Sequence, residues 1–396
     1  MANLVDDILF SIFDNSYWMA GSSRNPFELY RRNLRAASLV CQSWRQVSQQ
    51  ILFTTVQSNR DFHTKYFSPE ITKRDLLLLS HIHNLDIATK CDARDDILRI
   101  FQRCPNLKII WLDWTNVKQI TKGQAQDLHQ YASAHPLALT KLYIRTAVAY
   151  DSHKPSDSAA FYRFISTFST LTTLRLSTGL AIGAVPLHCR PLTFDSCLNE
   201  LELEELVSPT HLEWLLASSS ETLSQLHFRV EIADDRHQWV ASPIERTCGN
   251  SIRVLEFAVA FNRQSANVVA ACPNLVELVV EVTDNKVPIP IPPVPGTLRH
   301  LTIIHNKLGF FRRPLGFQAY LLADDNCHFH LASLLLMGDW ELHLRLVGEL
   351  QILQDRCAKR QIQLGIGNYF SPNFHYSYER LMPTPSRAAP LPSWRN

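Results

Sequence analysis

The chain has 396 residues, 46% of them apolar and 19% charged, values that support a sizeable core and exclude a mostly disordered or collagen-like chain. Its 39 lysines and arginines against 37 aspartates and glutamates leave a formal net charge of +2, which gives little electrostatic reward for wrapping nucleic acid or lying on an anionic membrane. No apolar run approaches the roughly 18 residues of a bilayer span, so neither nucleic acid nor membrane is expected as a partner.

The N-terminal stretch carries Asp6 and Asp7 where an export signal would carry Lys or Arg, and it lacks a small-residue cleavage site, so no export is expected. Nine cysteines stand at scattered spacings without a C-x-x-C pair, and no Asn-x-Ser/Thr acceptor occurs. That usage predicts free, mostly buried thiols in a reducing compartment, cytoplasmic or nuclear.

Residues 4–13 place apolar side chains at 4, 5, 8, 9, 12 and 13, the stripe of one helical face. Residues 14–33 contain Gly21, Ser22, Ser23, Asn25 and Pro26 and read as a loop. From Leu34 to Phe53 a second stripe runs through Ala37, Val40, Cys41, Trp44, Val47 and Ile51 and predicts a helix with room for one break.

Together, Leu4-Val5-x-x-Ile8-Leu9-x-x-Ile12-Phe13, then Ala37-Ser38-Leu39-Val40-Cys41-x-x-Trp44-Arg45 and Leu52-Phe53, resemble the F-box, over residues 1–57. Two departures stand out: Val5 occupies the place where the family usually has Pro, and the connection between the halves is longer than most. The second costs little, because loop-closure entropy grows only logarithmically. The resemblance implies binding to the Skp subunit of a cullin and RING ubiquitin ligase, with Leu4, Ile8, Leu9, Ile12, Leu39, Val40 and Cys41 at the matching docking positions and Trp44 in the core of the unit. The plainer reading of the same residues is an N-terminal helical cap on the rest of the chain.

From residue 58 to 366 an L-x-x-L-x-L spacing recurs ten times, beginning at residues 82, 107, 139, 171, 198, 223, 252, 275, 298 and 331. The intervals, 23 to 33 residues, overlap the roughly 20–29 residues of leucine-rich repeats, with a few insertions. Helical spacing precedes several triplets, predicting helices over 95–104, 158–168, 211–218 and 264–272, and Cys-Pro-Asn-Leu at both 104–107 and 272–275 ends a helix and opens a strand. Each repeat is therefore one helix and one strand, too small to bury its apolar face unless stacked on its neighbours. The expected fold is α/β: a small helical F-box followed by a leucine-rich-repeat-like solenoid with a parallel sheet and outer helices. The Asn or Cys usual three residues after the triplet is missing, with Thr115, Gly179 and Thr283 in its place, so the repeats are degenerate and their turns irregular. A last long helix is expected over 340–359, a closing strand over 361–366, and a flexible proline-bearing tail over 367–396.

Residue pairs suited to a metal occur at His81-x-His83 and Cys327-His328-x-His330, but neither has a second pair at a readable spacing, so no metal site is assigned. Phosphate-loop, dinucleotide, nucleophile-elbow and zincin motifs are absent from the sequence, and neither cofactor nor catalytic residue is expected. The proline run at 287–295 reads as a stiff loop between repeats or, less simply, a ligand for a proline-recognising module.

Alternation along each strand leaves side chains pointing away from the helices, and among these Trp111, Tyr143, Arg175, His227 and Arg253 are the candidate contacts for a protein substrate. The resulting expectation is a non-enzymatic substrate-recognition adaptor that joins an Skp and cullin assembly to an unknown protein. A scaffold that delivers no substrate, and an enzyme on an α/β solenoid, are the alternatives.

Overall fold

The computed structural model describes residues 26–58, 60–68, 70–87, 97–113, 120–145, 158–176, 194–204, 206, 208–230, 232, 239–282, 295–305, 331–338, 340, 344–345 and 348–367. The expected helix at 4–13 with Leu4, Ile8, Leu9 and Ile12, the Cys327, His328 and His330 group, all of the proline run at 287–295 but Pro295, and residues 368–396 lie outside these.

Two helices come first, α1 (Pro26–Ala37) and α2 (Gln42–Thr54). Pro26, a loop signal in the sequence, opens a helix instead, because its fixed φ suits the first turn and its missing N–H would be unpaired there anyway. The helix expected from Leu34 to Phe53 is broken once, at Ser38–Cys41. Leu34, Ala37 and Val47 form a small core between α1 and α2, with Trp44, Ile51 and Leu52 packed against it.

No linker separates this hairpin from the sheet: α2 ends at Thr54 and strand β1 (Thr55–Ser58) begins at the next residue. Two short helices, α3 (Arg60–Tyr66) and α4 (Lys73–Leu79), then lead to β2 (Asn84–Ile87). Neither helix nor β1 carries enough periodicity to be read from the sequence.

The remaining chain alternates strands with helices. The strands are β3 (Ile109–Asp113), β4 (Lys141–Arg145), β5 (Thr173–Leu176), β6 (Glu200–Leu203), β7 (Gln225–Phe228), β8 (Val254–Ala260), β9 (Glu277–Val282), β10 (His300–His305), β11 (Ser333–Met337) and β12 (Gln363–Gly367). All twelve described strands pair in parallel in chain order, β1 to β12. An order that never reverses is that of a solenoid and excludes a doubly wound sheet, whose strand order turns back at a switch point. Eleven spacings of about 4.8 Å give a row roughly 50 Å long.

The triplets explain the sheet. Each supplies one strand from β2 to β11, and every one of their side chains is buried, the most exposed being Leu331 at 7%. Against them pack Ile100 and Phe101 of the helix Ile97–Arg103, Phe164 and Ile165 of Ser158–Ser166, Leu215 and Leu216 of Pro209–Leu216, and Val268 and Val269 of Arg263–Ala270. One continuous core therefore runs from Val56 to Cys357. The repeated Cys-Pro-Asn-Leu makes the same turn twice: Leu107 N–H donates to the Cys104 carbonyl at 3.1 Å and Leu275 N–H to the Cys272 carbonyl at 3.2 Å.

The missing asparagine ladder has a partial substitute. The residue just before a triplet donates its hydroxyl to the first triplet carbonyl of the preceding repeat: Thr170 to Leu139 at 2.7 Å, and Thr222 to Leu198, Ser251 to Leu223 and Thr297 to Leu275, each at 2.8 Å. These bonds satisfy carbonyls at the strand entrances that the ladder of parallel strands does not yet reach.

The C-terminal end differs from expectation by an interruption. The helix expected over 340–359 is helical at Trp340, Leu344 and Arg345 and again over Leu350–Lys359, with Gly348 at φ +73 between them, a left-handed conformation suited to glycine that interrupts a helix. The closing strand starts at Gln363, two residues later than expected, because Gln361 turns the chain at φ 58. Among the described residues no helix is long and apolar enough to cross a membrane.

Candidate functional site

Two surfaces stand apart from the packed core. The first is the turn between α1 and α2. Ser38 Oγ donates to the Arg35 carbonyl at 2.7 Å and Arg45 Nε donates to the Ser38 carbonyl at 3.2 Å, which fixes the turn's shape. Its next residues point outward: Leu39 is 78% exposed and Val40 63%, and Cys41 is exposed as well. Trp44, one helical turn further on, faces the hairpin core and is half-buried. Two adjacent large apolar side chains left in water on a fixed turn forgo about 1.5–3 kcal/mol each relative to burial.

The second surface is the sheet face turned away from the helices. Constant register lines up Asp86, Trp111, Tyr143, Arg175, Glu202, His227, Glu256, Val279 and Thr302 across β2 to β10. Four of the five candidate substrate residues therefore share one row. Trp111 stacks on Tyr143, ring centroids 5.1 Å apart, and the Arg175 strand lies on the other side of Tyr143. Arg253 does not join them: it sits one residue before β8, exposed, and its guanidinium donates to the Asn274 carbonyl at 3.0 Å.

Beside the row lie groups that the triplet pattern did not single out. Strand alternation puts Glu200 and Glu204 on either side of Glu202, Arg229 beyond His227, and Glu277 two residues before Val279; counting two positions either way from each row residue would have found them. Arg175 pairs with Glu202 at 3.3 Å and with Glu204 at 2.5 Å. Arg229 bridges Glu202 and Glu256. His227 Nδ1 lies 2.8 Å from Glu256 Oε2, and its Nε2 lies 3.9 Å from Glu200 Oε1.

Proton affinities follow from this crowding. Burial pulls the His227 pKa down, but the hydrogen bond to Glu256 and the charges of Glu256, Glu200 and Glu202 outweigh it and raise the pKa overall. Burial, reinforced by Glu256 and opposed by His227, pushes the Glu277 carboxyl up to about 7. Further along the same face Val279, Ile304 and Met337 make a small apolar cluster with Leu335 against it.

Other candidates are structural. Cys104 and Cys272 are buried at a repeated core position, and burial pushes each thiol up to about 12, far from the reactive thiolate. His83 has its pKa lowered by burial, then by Lys108 and His81. Among the described residues no three His, Cys, Asp or Glu side chains gather where a metal ion could be held.

No family model matches the chain, and no curated protein matches it. Among solved structures it is similar to the leucine-rich repeat-containing protein LegL7 from Legionella pneumophila, at 14% identity and a TM-score of 0.42, over 79% of this chain and 96% of that one. The assignment of a leucine-rich-repeat-like fold rests on this chain's own triplets, strand order and register.

Proposed function

We propose that the chain is a substrate-recognition adaptor of an Skp, cullin and F-box ubiquitin ligase, intracellular and without chemistry of its own. The observation that carries this reading is the α1–α2 turn, which leaves Leu39, Val40 and Cys41 exposed at the positions that match the F-box docking pattern. A turn held by two side-chain bonds that leaves its apolar side chains exposed suits a surface meant to be covered. The direct join of α2 to β1 supports the same reading, since a receptor that brings a substrate lysine to a charged conjugating enzyme gains from a stiff connection between its two ends.

In this reading the open sheet face holds the protein substrate through Trp111, Tyr143, Arg175 and His227, with Arg253 at the edge. Copurification from cells with the proteasome blocked tests it: both Skp and cullin should come with the chain, and Ile8→Asp should remove both. Skp without cullin would favour a scaffold that delivers nothing, and neither would leave the helical cap or an enzyme.

A further inference from the structure

The charges on the open sheet face do not balance. Among the described residues on or next to β4 to β9 it carries Glu200, Glu202, Glu204, Glu256, Glu277 and Glu281, six carboxylates, against Lys141 and the two guanidiniums of Arg175 and Arg229. Both arginines are engaged, Arg175 with Glu202 and Glu204, Arg229 with Glu202 and Glu256. Glu277 Oε1 is buried and has no hydrogen-bond partner, and neither has the buried Nε2 of His227. A carboxylate with one buried, undonated oxygen is costly to keep.

The groups that face Glu277 do not relieve it. From β8 come Val254 and Glu256, from β10 His300 and Thr302, and from β7 beyond them His227, with Arg299 at the entrance of β10. His300 has its pKa lowered by burial and then by Arg299, and its Nδ1 lies 2.8 Å from Ser333 Oγ. Glu256 adds charge of the same sign as the Glu277 carboxylate.

We propose that the open sheet face binds an extended basic segment of a partner polypeptide, one lysine or arginine of which pairs with Glu277 beside Glu256. This rests on the reading of that face as the receptor surface and names the chemistry of its substrate. From Tyr143 on β4 to Glu277 on β9 is five strand spacings, about 24 Å, which about seven extended residues span. At the far end the partly exposed Trp111, stacked on the buried Tyr143, offers an aromatic ring to a second cation. Negative charge in the middle and aromatic rings at one side fit a lysine- or arginine-bearing chain better than an acidic one.

The affinity should depend on pH. Glu277, held near 7, is mostly protonated at pH 6 and mostly ionised at pH 8; His227, whose pKa is also raised, loses positive charge as pH rises. Both changes favour a bound cation at higher pH.

The test uses the full chain and two labelled nonapeptides, one alternating lysine and serine, the other alternating glutamate and serine, at low salt. The lysine peptide should bind about tenfold more tightly at pH 8 than at pH 6, and Glu277→Gln should bind it at pH 8 about as weakly as the native chain does at pH 6. Glu200→Gln, which leaves Glu277 in place, should keep the pH dependence. Equal affinity of the native chain and Glu277→Gln, or a glutamate peptide bound as tightly as the lysine peptide, would overturn the proposal. Should Glu277→Gln not fold, loss of the pH dependence in Glu200→Gln would overturn it as well. Skp binding measured on the same proteins separates the two ideas: lost peptide binding with Skp binding intact removes this inference alone, whereas lost Skp binding with peptide binding intact removes only the adaptor reading.

Discussion

Trp111 and Tyr143 face each other across β3 and β4 with their rings 15° from parallel, and Tyr143 is only 6% exposed. The pair is a flat, rigid platform on the side of the sheet that the helices leave open. An aromatic cross-strand pair contributes about 0.2–1 kcal/mol to the sheet, whereas an aromatic anchor of an interface contributes about 2 kcal/mol or more. Replacing both residues with Ala should therefore weaken a copurifying substrate by roughly thirtyfold while the chain stays folded and Skp stays bound. A substrate held as well by the double variant as by the native chain would place the contact elsewhere.

His211 is wholly buried among Phe161, Tyr162 and Trp214, its ring edge-on to Tyr162 at 4.8 Å, and neither nitrogen has a hydrogen-bond partner. Burial pulls its pKa down to about 3. The unfolded chain, with a histidine near 6.5, takes up a proton that the folded chain refuses, so stability is full above pH 6.5 and falls as pH drops toward 3. Between about pH 8 and pH 5 this one residue should account for about 2 kcal/mol of the loss. Urea titrations of the native chain and His211→Phe at both pH values check it: the variant should lose about that much less, and equal losses would show that the ring is hydrated.

Gly249 lies where neighbouring repeats touch. A Cβ at this position would come within 2.1 Å of the Ala271 carbonyl oxygen, while one at Gly296 would meet nothing within 4 Å. Gly249→Ala should cost about 1–3 kcal/mol by forcing two backbones apart, and Gly296→Ala should leave the thermal midpoint nearly unchanged. A neutral Gly249→Ala would mean that the repeats slide past one another easily.

The repeats were legible because the same packing demand recurs in each: a strand that must hide Leu139, Leu142 and Ile144 under a helix is spelled the same way as its neighbours. The turns at Cys104 and Cys272 were legible for the same reason. The helix at Pro26 was not, since proline signals a loop and a first helical turn equally well, and the break at Gly348 was hidden inside an otherwise helical stretch. On the open face, Trp111, Tyr143, Arg175 and His227 followed from alternation alone, but Arg253 did not join them because the strand begins one residue after it. Nor does one strand's sequence disclose that Glu277 Oε1 is left without a donor, since its neighbours come from β8 and β10.

The hydroxyls before the triplets were visible as Thr170, Thr222, Ser251 and Thr297, but only the structure shows that they reach back one repeat. Changing Thr170, Thr222 and Thr297 together to Val should cost about 3 kcal/mol, near 1 kcal/mol for each bond lost, read as a lower urea midpoint. An unchanged midpoint would mean that water replaces them at no cost.

The adaptor reading is tested most directly by the affinity of the purified chain for a purified Skp subunit, measured by calorimetry for the native protein and for Leu39→Asp. A one-to-one complex is expected, which Leu39→Asp should weaken at least about a hundredfold, since the carboxylate would be buried without a partner at the interface. The circular dichroism of the variant should match the native chain, because Leu39 is exposed and outside the hairpin core. No heat of binding from the folded native chain, or the same affinity for Leu39→Asp, would contradict the adaptor reading.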